Sequence, residues 1–150
     1  MKHSLPVIAF SILSLGQAFA LGPIPNGTYS GTMSCSNQYG NSIPDQVVTI
    51  TIADSAMTFG ASRKEFIDTG KGFFKVRHYD TSNPAKGSEL SGIGHGYFTA
   101  TGVHINMMID VGVAVAEGED TFVYRDGRVI LVSSAGGYKC EGEFRKKDSK

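Results

Sequence analysis

The chain has no tryptophan, only two cysteines, no excess of charge of either sign and, beyond its first twenty residues, no long apolar run. Each shortage excludes something. With 14 Lys+Arg against 14 Asp+Glu the formal net charge is zero, so no bulk positive field is available to grip nucleic acid. The longest apolar run, Leu5–Leu15, has eleven residues. That is short of the roughly 20 a membrane-spanning helix requires. Two cysteines, Cys35 and Cys140, permit one intramolecular bridge and are too few to build a zinc site. There is no G-x-S-x-G nucleophile elbow, no G-x-x-x-x-G-K-[ST] phosphate loop and no H-E-x-x-H zinc helix. Gly92-Ile93-Gly94-His95-Gly96 is glycine-rich, but no helix signal follows it, which argues against a phosphate cradle. No set of polar residues marks a catalytic cleft, so neither catalytic residues nor a cofactor are expected.

What is present begins with an export pattern. Lys2 is a positive n-region, Leu5–Leu15 an apolar h-region, and Ala18-Phe19-Ala20 an A-x-A cleavage site. Residues 1–20 are therefore expected to be removed, leaving one domain over 21–150, in a secreted or periplasmic setting where disulfides persist. A hydrophobic fraction of 41% excludes general disorder. The 19 glycines, well above the usual ~7%, have no G-x-y period and point to tight turns in a curved sheet.

From Thr28 onward, runs of period two follow one another: Thr28–Cys35, Gln46–Ala53, Ala56–Gly60, Gly72–Tyr79, Gly96–Thr101, Val103–Val111, Thr121–Arg125, Arg128–Ser134 and Tyr138–Lys146. Asp126-Gly127 marks a two-residue hairpin, and Gly102 divides two further runs. Ser62-Arg63-Lys64-Glu65 matches a capping box with Gly70 as a stop, yet 62–70 also fits a strand. The strand is preferred, because so short a helix is marginal alone. Residues 80–92 form the longest polar stretch and Glu117–Asp120 reads as a solvated hairpin loop. The basic end, 145–150, has no interleaved aromatics and reads as a solubilising tail. His95 and His104 flank the Gly102 turn. Either register considered leaves them on opposite faces or about 13 Å apart, too far to share a zinc ion.

Consecutive antiparallel strands must hide their edges, and closure does so completely. Cys35 lies on the first strand and Cys140 on the last, each in phase with apolar neighbours. A bridge between them requires adjacent terminal strands. The expected fold is an all-β meander closed into a small barrel of about 8–10 strands, with a two-sheet sandwich as the other architecture. Its inner face would comprise Tyr29, Met33, Ile50, Phe59, Phe74, Tyr97, Ile105, Met107, Ile109, Phe122, Leu131, Tyr138 and Phe144. Such a barrel is either packed or hollow enough for one small guest. One strand leaves its register open: the face with Tyr97 also carries His95, Thr99 and Thr101, and would line a polar wall if turned inward.

Asn26-Gly27-Thr28-Tyr29, opening the first strand, resembles the G-x-W start of lipocalins and related calycin barrels, with Tyr29 in place of Trp. The resemblance implies a barrel that binds a small hydrophobic ligand. The residues expected to contact it are Tyr29, Met33, His95, Tyr97, Met107, Phe122 and Tyr138. The other expectations are a protein-binding module, such as an inhibitor of a secreted or periplasmic enzyme acting through 80–92, or an envelope protein without a ligand.

Overall fold

The computed structural model describes residues 21–83, 85, 89–110 and 112–147. Residues 1–20, where the sequence leads one to expect an export signal, much of the 84–88 loop and the tail beyond 147 lie outside them. Ten strands follow in order: β1 (Gly27–Asn37), β2 (Ser42–Ala53), β3 (Ala56–Phe59), β4 (Ser62–Gly70), β5 (Phe73–Asp80), β6 (Glu89–Phe98), β7 (Gly102–Asp110), β8 (Val115–Arg125), β9 (Arg128–Ala135) and β10 (Tyr138–Lys146). Each pairs antiparallel with the next, and β1 also pairs with β10, so the sheet is a closed meander barrel. Segment 62–70 is strand β4.

Alternation decides what faces inward. On β2, Val48, Ile50 and Ile52 turn to the interior while Thr49 and Thr51 stay outside, where Ser30 and Thr49 hydroxyls meet at 2.9 Å. The core holds Tyr29, Ile50, Met57, Phe74, Ile105, Phe122, Leu131 and Phe144, with Met33, Phe59 and Ile109 packed against it. The hairpin at Asp126-Gly127 has positive φ at both residues, 51° and 74°, the twist that a two-residue turn requires.

The seam between β1 and β10 is held by nine register pairs, and one of them is Cys35 opposite Cys140. The two are disulfide-bonded, 105 residues apart in sequence. Chain reversals place the starts of β1, β5, β7 and β9 at one end of the barrel, its base, and the starts of β2, β6, β8 and β10 at the other, its mouth. The lead-in crosses the base. Leu21 and Ile24 are buried there, and the Tyr29 hydroxyl donates to the Pro25 carbonyl at 2.8 Å.

Four expectations need correction. Tyr97 lies outside the barrel, 42% exposed, and His95 is exposed beside it. The inner positions of β6 are Gly92, Gly94, Gly96 and Phe98. Rings from neighbouring strands occupy the space those glycines leave: a Cβ added to Gly96 would collide with the His104 carbonyl and lie 2.6 Å from the Phe74 ring. The acidic segment Glu117–Asp120 is not a loop but part of β8, and Asp120 is buried. Glu89–Gly92 belongs to β6, which shortens the polar loop. Tyr138, expected inside, stands 41% exposed at the rim of the mouth.

Candidate functional site

Among the described residues, one lysine, one histidine and one aspartate are buried inside the barrel. Each is in phase with an apolar row of its strand: Lys64 with Phe66 on β4, His78 with Phe74 and Val76 on β5, Asp120 with Phe122 on β8. Pairing sets Lys64 directly opposite His78. The barrel's curvature brings Lys64 to Asp120 across the lumen, with Nζ 2.6 Å from Oδ2 and side chains only 9% and 7% exposed. Ser133 on β9, opposite Asp120, donates its hydroxyl to the other carboxylate oxygen at 2.5 Å. The Lys64 ammonium also lies 6.0 Å from the centre of the Phe122 ring.

His78 marks the boundary between this cluster and the mouth. Ser91, the extra residue where the β5–β6 register shifts, bonds His78 Nδ1 through its hydroxyl at 2.8 Å. Nε2 has no hydrogen-bond partner among the described residues. Around and above it opens a cavity of about 550 Å³, lined by Ser62, His78, Asp80, Leu90, Ser91 and Ile109 among others. Carboxylates of Asp80, Glu89 and Asp110 surround the opening.

Burial holds the His78 imidazole below its ordinary pKa of 6.5; Lys64 pushes the same way, while Asp120 and Asp80 oppose it. The unfolded chain takes up this proton near 6.5, whereas the folded chain takes it up only at lower pH. Stability is therefore expected to be undiminished above pH 6.5 and to fall as the pH drops below it, through the folded-state value. Glu65, whose carboxyl is held below 4.5 chiefly by Arg63, acts only further down the scale. Urea unfolding across mildly acidic pH checks this: His78→Gln should remove the slope, and an unchanged slope would assign it to other groups.

The residues expected to contact a ligand do not share one place. Tyr29 is at the sealed base, Phe122 is in the packed core, Met107 and Met33 line the inner wall, Tyr138 is on the rim, and His95 and Tyr97 are outside. The β6–β7 turn falls at Thr99–Thr101, so Tyr97 faces His104 and His95 faces Asn106. This differs from both registers weighed from sequence. The two histidines share the outer face, and His104 is engaged by Thr121 at 3.0 Å and Asn106 at 3.2 Å. Among the described residues, no three His, Cys, Asp or Glu side chains group closely enough to hold a metal ion. No described helix is long and apolar enough to cross a membrane. No protein-family profile, curated protein or solved structure matches the chain.

Proposed function

We propose that this is an exported, lipocalin-like cup that takes a small amphipathic molecule through its open end. The observation that carries the reading is the Lys64–Asp120–Ser133 cluster with His78, set between a sealed apolar base and an open mouth. A barrel this size does not need it. An apolar group of similar volume serves a fold as well as a buried ion pair, whose desolvation offsets its attraction. A polar floor beneath an opening has a use in orienting a guest.

The base half is filled by side chains of this chain, so the room for a guest is at the mouth. There Leu90 and Ile109 offer apolar contact and His78 Nε2 a hydrogen-bonding atom. The acidic rim of Asp80, Glu89 and Asp110 favours a neutral or cationic polar group over a carboxylate. Export is supported by the signal-like residues 1–20 and by the disulfide. The calycin reading draws on Asn26-Gly27-Thr28-Tyr29, whose Tyr29 is wholly buried beneath the lead-in. The outside, rich in Ser, Thr, Lys and Glu, is the reverse of a lipid-facing barrel.

Thermal shift with decylamine, decanol and decanoate tests this. The amine and the alcohol should raise Tm and decanoate should not, and His78→Leu should abolish the rise. No rise with any probe, together with only the bare protein mass in native mass spectrometry, would overturn the reading.

A further inference from the structure

The outer face of β5–β8 carries charge in an ordered pattern. Two rows of paired residues cross these strands: Arg77–Ile93–Met108–Glu117 and Lys75–His95–Asn106–Glu119. In both rows a base stands on β5 and an acid on β8. Between them Ile93 is 61% exposed and Met108 54%. Lys75, Arg77 and Glu117 form no ion pair with another described residue, and Glu119 only approaches His104 at 3.6 Å. The residues between the charged edges line a groove of about 630 Å³, where β6 contributes the bare backbone of Gly94. Each of β5–β8 is paired on both sides, so this face offers no strand edge for a partner to extend. A partner must be recognised by side chains.

We infer that this face is a self-complementary interface and that its occupant is a second copy of the chain. A two-fold axis lying in the interface, parallel to β6 and β7 and between them, sets β5 of one protomer over β8 of the other. Arg77 then meets the partner's Glu117, Lys75 meets the partner's Glu119, and Ile93 meets the partner's Met108. Each contact occurs twice, as an isologous interface demands. The other in-plane axis, across the strands, would stack β5 on β5 and base on base, and like charges exclude it. An apolar centre with charged edges is the layout of a protein interface, with the charges fixing register. Nothing in this pairing covers the mouth, so it stands apart from the ligand reading.

Sedimentation equilibrium of the mature protein tests it. The wild type should be a dimer, with a dissociation constant that rises at least about tenfold from low to high salt. Lys75→Glu/Arg77→Glu makes the face acidic at both edges, and Glu117→Lys/Glu119→Lys makes it basic at both. Each variant should sediment as a monomer with an unchanged circular dichroism spectrum. Mixed in equal amounts they should associate, because acid again faces base at both edges. A monomeric wild type, a dimer that survives in either variant, or a mixture that fails to associate would overturn the inference. A foreign protein as the true occupant would give the first of these results. The salt dependence of the wild type decides the matter should a variant fail to fold, since an interface without facing charges would show none.

Discussion

Replacing both cysteines, as Cys35→Ser/Cys140→Ser, is expected to lower the unfolding free energy by about 4–5 kcal/mol while leaving a closed barrel. The size follows from the loop: the bridge joins residues 105 apart, nearly the whole described chain, so its loss frees the unfolded state to explore far more conformations. The folded state loses less. Tyr29 to Asn37 remain paired with Lys146 to Tyr138 along the seam, whether or not sulfur joins it near the mouth. The change should appear as a fall in Tm on the order of 15 °C, with the native circular dichroism spectrum unchanged at low temperature. The urea m-value should also rise, because an uncrosslinked denatured chain exposes more surface. A loss under about 1 kcal/mol would mean that the denatured ensemble already holds its ends together.

The seam was legible in the sequence because its signals are local. Cys35 and Cys140 each lie in phase with apolar neighbours, and a bridge between the two ends of a meander makes the terminal strands neighbours, which favoured closure over the two-sheet sandwich. The faces of β2 were equally plain, since Val48, Ile50 and Ile52 alternate with threonines. Where patterning failed, the reason is physical. Strand β6 presents glycine at three inner positions, and glycine carries no hydrophobic signal, so Tyr97 looked like the inward residue. The filling of that wall is supplied by Phe74 of β5 and Met107 of β7. The first half of β8 reads Glu-Gly-Glu-Asp, which composition alone assigns to solvent. Asp120 is stabilised inside by a lysine 56 residues earlier, a pairing no local window contains. One clue did exist: Lys64, His78 and Asp120 each sit in step with the aromatic or aliphatic residues of their strand, and a charge on an apolar face is an anomaly to be followed.

That anomaly yields the other large expected effect. Lys64→Met alone strands the Asp120 carboxylate in the lumen, and Asp120→Leu alone strands the Lys64 ammonium. Each should cost about 3–5 kcal/mol in urea unfolding, because a buried charge without its partner retains its desolvation penalty. Changing both removes the penalty with the attraction. Ser133→Ala belongs with them, since its hydroxyl donates to Asp120 and would otherwise be left unpaired at about 1–3 kcal/mol. The combined Lys64→Met/Asp120→Leu/Ser133→Ala variant should therefore match or exceed the wild type in stability, a strong departure from additivity. The same variant separates fold from use. If the cluster serves the barrel alone, the stabilised variant keeps every property of the parent. If it is the floor of a binding site, the variant folds at least as well yet no longer gains Tm from decylamine or decanol. Full retention of the ligand shift would leave Lys64 and Asp120 as structural residues and return the site to the mouth above them.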